Sequence, residues 1–571
     1  MEKHEFHRMT VLLRLLAAAI FIVLFLTFAV SFRGPDEPIY YAYTASIVDD
    51  GDLNVVDQLH SEPGPFEVTS TYHHSDFHNH GGVIFWAPFY IYGKLVNTLR
   101  GPDDGARDGP GPEGVMKAVM SLSTVLMSFM NLLLIFLLVR KFFSIGTAFL
   151  AVCAVFWATP YFFFTLVETA NAQIPASLLA TLLLFVSYTV VGTRIRDWFW
   201  YGVFFSVCIV TKLDLWFYIF FVGAYYYMLR RRRRVRGIHA AAFAAGALPC
   251  IVMKIVNDFV QYGMVRQAEF SLLNSRSFYL FEQLFSRYRG YAYTSPILLV
   301  CLLGAVISFM RSARTAEGQP AKLYYRDRFI AMTGLLIILK IVIIAFRYAW
   351  GGGTPGPRVL LTESCILALL IGYVVSIAPR PARIWLWILT GMAAAWNCLI
   401  IAEYYTGSDL YYIVSAPGVL QRLRVIPAFM SEVMRIKEPA MKFFYLAPAS
   451  VLAAAGVWSF GRIRNGRILD RPWYRMSSRP SGYWRIFTAL TALMVFSYAA
   501  VTVSNCARQA ENVQRLRDSG FFAQARILRH EDFERFENEG SLKEMIWYFS
   551  TIGDDRRVRH LREIKRTLYG D

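Results

Sequence analysis

VLLRLLAAAIFIVLFLTFAVSF, residues 11–32, runs straight into RGPDEP, residues 33–38. A helix needs about 20 apolar residues, at a rise of 1.5 Å each, to cross a hydrocarbon core of roughly 30 Å, and this run has that length. It is too long for a removable signal peptide and lacks a small-residue cleavage site, so it is expected to stay as a membrane span. Where it ends, Asp36 and Glu37 stand side by side. Two carboxylates held at a membrane edge are a candidate catalytic site. The bland alternative is that they cap and charge-complement a helix started by Asp36-Glu37-Pro38-Ile39-Tyr40-Tyr41-Ala42, with the acids in the N-terminal turn where the dipole favours anions.

The same apolar pattern recurs along all 571 residues, which are 56% hydrophobic and 16% aromatic. The fold class expected is an all-α polytopic membrane protein. Thirteen spans can be drawn: 11–32, 115–139, 144–164, 172–192, 198–212, 214–229, 238–256, 293–310, 329–346, 359–378, 384–403, 441–460 and 486–503. The short basic connections, among them Arg140-Lys141, Arg194 with Arg196, Arg230 to Arg234, Arg311 to Arg328 and Arg380 with Arg383, all fall on one side of this alternating path. That side is expected to be cytoplasmic, with the N-terminus on it and the C-terminus outside. These connections account for the net charge of +18 without a nucleic-acid footprint. The Arg230 to Arg234 cluster is expected to lie against anionic headgroups. Six of the seven cysteines fall inside predicted spans, so no disulfide framework or zinc spacing is expected. With no Asn-x-Ser/Thr sequon and no retention signal, a bacterial inner membrane is the expected location.

The outward side is built unevenly. Its long segments are Arg33 to Gly114, Asn257 to Ala292, Tyr404 to Ala440 and the stretch from Ser504. The chain is therefore divided into a transmembrane domain, 1–503, whose first outward loop (33–114) carries the acids, and a small C-terminal helical domain, 504–571, outside the membrane. The piece Val83 to Leu95, interrupted by Pro88, is read as a short extra helix or one lying in the interface, its aromatic content favouring the interface.

The first loop also holds five of the ten histidines. If residues 73–80 are extended, period two puts His74, Asp76, His78 and His80 on one face, a nitrogen and oxygen set suited to Zn or Mn. If they form a loop, the same histidines are hydrogen-bonding groups around a sugar or phosphate. Further polar residues sit at the outward ends of spans: Glu168 and Asn171, Lys212 and Asp214, Arg287 and Arg289, Arg347 and Arg358. Cations at that depth suit a lipid phosphate, while each taken singly also reads as interfacial snorkelling. The Gly/Pro-rich stretch Arg347 to Arg358 cannot be helical and is expected to wall a wet cavity, with Arg358 presenting its guanidinium to phosphate oxygens. Most ionisable residues collect at the outward ends of spans, and Lys254 and Lys340 are the intramembrane exceptions to watch.

Taken in order, the acidic pair after the first span, Gly81-Gly82 with Trp86-Ala87-Pro88, Arg289-Gly290 before Thr294-Ser295-Pro296, and Trp350-Gly351-Gly352 before Gly356-Pro357-Arg358 resemble bacterial GT-C membrane glycosyltransferases. The likeness is to the branch similar to protein O-mannosyltransferases and lipid A aminoarabinose transferases, and it covers roughly residues 11 to 403. It implies a GT-C-like fold and an enzyme that moves a sugar from a polyprenyl-phosphate donor to a lipid, glycan or protein acceptor on the outward face. Asp36 matches the family's first-loop aspartate, Glu37 its acidic neighbour, and Glu168 the acid often carried by the second outward loop. Where many relatives have a Lys/Tyr-Pro-Pro element, this chain has His78-Asn79-His80-Gly81, so histidine stands where a phosphate-binding lysine is expected.

A sugar phosphate already carries a good leaving group, so a base and phosphate-binding cations suffice. The resemblance makes Asp36 that base in an inverting displacement, with Glu37 and Glu168 as further catalytic acids. It gives the donor to Arg358, Arg289, Lys212, His80 and Trp350. No cofactor is required for such chemistry, although a divalent metal on the histidine set is compatible with it. The competing readings are a multi-pass transporter or flippase of lipid-linked sugars and a non-catalytic GT-C-like scaffold. A transporter needs ionisable groups spread through the bilayer depth, and no duplicated halves are visible in the sequence.

Overall fold

The computed structural model describes residues 36–60, 67–74, 79–100, 112–166, 168–189, 191, 193–231, 234–263, 278–285, 290–314, 321–346, 358–405 and 482–527, with isolated positions at 546, 558–559, 562–563 and 565–566. The predicted spans 11–32 and 441–460 lie outside the described residues, as do Asp76, His78, Arg287, Arg289, Arg347 and Trp350.

The described chain is helical almost throughout. In order, the helices are α1 Glu37–Asp49, α2 Val56–Leu59, α3 Val83–Arg100, α4 Pro112–Phe142, α5 Ile145–Ala158, α6 Tyr161–Leu166, α7 Gln173–Thr189, α8 Ile195–Thr211 and α9 Tyr218–Arg231. They continue as α10 Gly237–Tyr262, α11 Leu280–Phe285, α12 Tyr291–Thr294, α13 Ile297–Arg314, α14 Ala321–Ile344, α15 Ser364–Ile377, α16 Arg380–Tyr405 and α17 Gly482–Asp518. Among the described residues, the strand content is one parallel pair, β1 Glu67–Val68 with β2 Arg526–Ile527.

Among the described residues, four helical stretches are long and apolar enough to cross a membrane: Glu113–Phe142, Gly237–Tyr262, Arg358–Ile377 and Trp484–Asp518. Shorter apolar helices fill other predicted spans, and 144–164 is broken at Thr159-Pro160 into α5 and α6. The surface fits a lipid solvent. Leu248, Val252 and Phe259 on α10, Leu303, Val306 and Phe309 on α13, and Leu490, Leu493 and Phe496 on α17 are all exposed. Such apolar belts are costly in water and favourable against acyl chains.

Packing between helices relies on small residues, as expected where lipid tails are as apolar as the side chains. At the crossing of α8 and α10, a Cβ on Gly202 would lie 2.0 Å from the Phe243 carbonyl oxygen, and one on Gly246 2.0 Å from that of Phe199. The two backbones touch because neither glycine carries a side chain. Polar seams run through the same bundle, with Asn131 donating to Tyr161 Oη and Ser177 Oγ, each at 2.8 Å.

Helix α3 continues through Pro88 to Arg100. Helix α17 passes the predicted domain boundary at residue 504 without a break and reaches Asp518. Its far half lies on the first outward loop: Asn505 Oδ1 accepts from Leu53 N at 3.0 Å, and Asn512 Nδ2 donates to Asp52 Oδ2 at 2.7 Å.

Candidate functional site

Asp36 stands at the N-cap of α1, with Pro38 in the first turn. Its side chain makes no capping hydrogen bond. Instead Oδ2 accepts from Arg358 Nη1 at 2.9 Å and from Asn171 Nδ2 at 3.0 Å. Asp36 thus occupies the N-cap position without a capping hydrogen bond, and its carboxylate faces groups far away in the sequence.

Glu37 is fully buried and works differently. Its Oε1 accepts from Thr169 Oγ1 at 3.2 Å and from the Ala170 amide at 3.0 Å, and Thr169 Oγ1 lies 2.7 Å from Ser121 Oγ. The carboxylate pins the turn between α6 and α7 to the start of α1. That turn supplies Asn171 to Asp36, and Glu168, also fully buried, belongs to it. Asn171 is held in turn by its own Oδ1, which accepts from Gln173 N at 3.1 Å and so opens α7.

Arg358 begins a 3₁₀ turn, Arg358–Glu363, that leads into α15. With its amide oriented to satisfy both neighbours, Gln173 donates to the Arg358 carbonyl at 3.2 Å and accepts from Lys212 Nζ at 2.9 Å. Lys212 Nζ lies 3.4 Å from Asp214 Oδ2, and Lys340 Nζ lies 3.8 Å from the same oxygen. Lys340 also reaches both Glu363 oxygens, at 2.9 and 3.0 Å, and Thr362 Oγ1 at 3.0 Å. Glu363 closes the turn that Arg358 opens, so these contacts form a ring through Gln173, Lys212, Asp214, Lys340 and Glu363. Each cation in it faces a carboxylate, and Arg358 alone extends from it to Asp36.

His80 opens a 3₁₀ turn, His80–Gly82, rather than continuing a strand, so the period-two face does not extend to it. Its ring stacks on Tyr498 with centroids 6.2 Å apart, and Nε2 lies 3.3 Å from Tyr498 Oη. A Cβ on Gly81 would lie 2.1 Å from the Val210 carbonyl oxygen, so glycine there lets this turn sit against the end of α8, just before Lys212. His74 pairs with His60, ring centroids 5.5 Å apart. Among the described residues, no three His, Cys, Asp or Glu side chains cluster as metal ligands.

The structure thus brings Asp36, Glu37, Glu168, Arg358 and Lys212 into one neighbourhood and leaves His80 engaged with Tyr498. Gln173, Thr169 and Glu363 were not singled out from the sequence. Glu363 had a usable signal, since it is an acid in one span and Lys340 a base in another. Neutral Gln173 and Thr169 carry none.

Among the described residues, Asp49 and Asp57 of the first loop are engaged in structure. Asp49 accepts from Tyr90 Oη at 2.7 Å and Lys94 Nζ at 2.6 Å, and Asp57 Oδ2 lies 3.2 Å from Arg515 Nη2. Burial raises the carboxyls of Asp50 and Asp52 above their ordinary value and pushes Asp57 up to about 6, with the Asp50 charge adding to the shift at Asp57.

No protein-family model matches the chain, and no curated protein matches it. Solved structures similar to it include ArnT from Cupriavidus metallidurans in the apo state, 13% identical, covering 88% of this chain and 78% of that one at a TM-score of 0.43. ArnT from the same organism bound to undecaprenyl phosphate is 14% identical, covering 91% of this chain and 87% of that one, again at 0.43.

Proposed function

We propose that the chain is an inverting glycosyltransferase that moves a sugar from a polyprenyl-phosphate donor to an acceptor hydroxyl at the outward face of a membrane. The observation that carries this reading is the meeting of Asp36 and Arg358, 322 residues apart, beside a ring of buried and half-buried charges. One group can take a proton, the other can hold a phosphate, and both stand where an apolar run ends.

In the reaction, Asp36 accepts the proton of the acceptor hydroxyl as its oxygen attacks the anomeric carbon. The bond from that carbon to the phosphate oxygen breaks on the opposite face, and the electron pair leaves with the lipid phosphate. Arg358 exchanges the Asp36 carboxylate for the donor phosphate, which releases Asp36 for its role as base and places a cation on the developing negative charge. Lys212, one bridging amide away, adds a second cation on the same side. Glu37 acts in this scheme by holding the Asn171 turn, and Glu168 supports that turn. Arg289, Trp350 and His80 are assigned to the donor side, and the C-terminal region from residue 504 to the acceptor side. The ionisable residues within predicted spans also favour an enzyme over a transporter: Lys340 is neutralised by Glu363, and Lys254 by Asp258 at 2.7 Å.

The test is release of polyprenyl phosphate by the purified full chain from a polyprenyl-phosphate-linked sugar. Asp36→Asn is expected to lower the rate by about 10²- to 10⁴-fold, the usual worth of a general base, while the protein elutes as the parent does. Retained transfer would remove Asp36 from the mechanism.

A further inference from the structure

Helix α11, Leu280–Phe285, has two unlike faces. On one, Gln283 is fully buried and donates to Tyr291 Oη at 2.9 Å. On the other, Phe281 is 71% exposed and Phe285 50%, one turn apart with ring centroids 5.3 Å from each other. Phe278, just before the helix and 50% exposed, extends this patch to Phe346, centroids 4.8 Å apart. Phenyl rings offer water no hydrogen-bonding group, so the face is costly where it stands unless lipid or another chain covers it.

Where the patch lies follows from its attachments. The Tyr279 amide donates to the Ala345 carbonyl at 2.7 Å, which ties the start of α11 to the end of α14. The 24 residues of α14 rise about 36 Å, enough to cross a hydrocarbon core, so its end stands at a membrane edge. Leu284, next to Phe285, lines one apolar cavity with Tyr291, Leu299, Ile341 and Leu360. Leu299 is itself exposed and begins the apolar row that Leu303 and Val306 continue along α13. The phenyl patch is therefore continuous with the surface that fits lipid.

That continuity selects the occupant, and size agrees with it. At about 200 Å² for each side chain, three phenylalanines exposed to this degree present roughly 350 Å² of apolar surface. A stable contact with a second copy needs about 800 Å² on each partner.

We propose that Phe278, Phe281 and Phe285 form a wedge that seats α11 in one leaflet, their rings among the glycerol ends of the acyl chains and the Gln283 face toward the protein. Leu360, which shares the cavity with Leu284, stands two residues after Arg358, so the wedge holds the Arg358 turn at the same membrane edge. The assignment does not depend on the transferase reading.

The experiment places p-benzoylphenylalanine at position 281, and separately at 285, of the full chain in phosphatidylcholine nanodiscs, and maps the photoadducts by mass spectrometry. Both side chains are exposed, so either replacement leaves the packed face of α11 intact. Adducts to phosphatidylcholine, on the acyl carbons nearest the glycerol, are expected at both positions. They should be lost when the probe replaces Gln514, an exposed residue on the charged half of α17. Adducts confined to the far ends of the chains would overturn the interfacial seat. Adducts to a second copy, absence of lipid adducts at both positions, or lipid adducts as abundant at 514 would overturn lipid as the specific occupant.

Discussion

Lys340 is 1% exposed and Glu363 wholly buried, and their charged groups meet at 2.9 Å on adjacent elements. Burying two ions costs several kcal/mol each, and their attraction offsets this only while both are present. Removing one leaves the other uncompensated. Lys340→Met is therefore expected to destabilise the protein by about 3–5 kcal/mol, whereas Lys340→Met with Glu363→Leu should recover most of that loss. Unfolding in detergent, followed by circular dichroism, measures both, and a double variant no more stable than the single would reject the pairing as the cause. Asp214 keeps Lys212 as a partner at 3.4 Å in either variant. Activity should nonetheless fall in both, because Glu363 anchors the far end of the turn that presents Arg358 to Asp36.

Helices α8 and α10 cross where Gly202 and Gly246 let backbone meet backbone. Gly246→Ala would put a methyl 2.0 Å from the Phe199 carbonyl and force the helices apart. A loss of at least about 1–3 kcal/mol is expected, the usual cost of overpacking. Gly223→Ala is the matched control, since a Cβ there meets nothing within 4 Å. It should be neutral or stabilising by about 0.5–1 kcal/mol, as alanine is the better helix former. Melting temperatures of the two variants decide whether contact or propensity dominates. At this scale the sequence was most legible. Apolar length located helices within the predicted stretches from 115–139 to 384–403, although 144–164 is broken into α5 and α6 and four described stretches are long and apolar enough to cross a membrane. It could not show that α17 runs on past Ser504, since the apolar signal stops there while the helix's hydrogen bonding does not. The site was legible one residue at a time: Asp36, Arg358 and Lys212 are charges at the ends of runs. The partnerships were not, because joining residue 36 to 358, or 340 to 363, requires the rotation and register of helices that periodicity alone leaves free.

Across the whole molecule, the beginning of the described chain is clamped to its end. Arg515 reaches Asp57, Asn512 reaches Asp52, and Ser504 Oγ and Arg508 Nη1 donate to the carbonyls of Gly51 and Asp50. Asp57 is pushed up to about 6 by burial and by Asp50, whereas burial draws His73, in the same loop, down to about 4 against its Thr71 hydrogen bond. The two groups act in one pH window with opposite signs. A carboxyl with a raised value binds more protons when folded, so its stabilisation is complete below about 4 and is lost as pH rises through about 6. A histidine with a lowered value binds fewer when folded, so its stabilisation is present above about 6.5 and is lost as pH falls toward 4. Over that window the parent should therefore show a shallow pH dependence. Asp57→Asn removes one of the raised carboxyls that oppose the histidine, leaving Asp50 and Asp52, so its stability should fall more steeply than the parent's from pH 6.5 to 4. His73→Gln should invert the trend and become more stable on acidification. Parallel slopes in all three proteins, measured by thermal unfolding at half-unit steps, would mean that neither group governs the clamp.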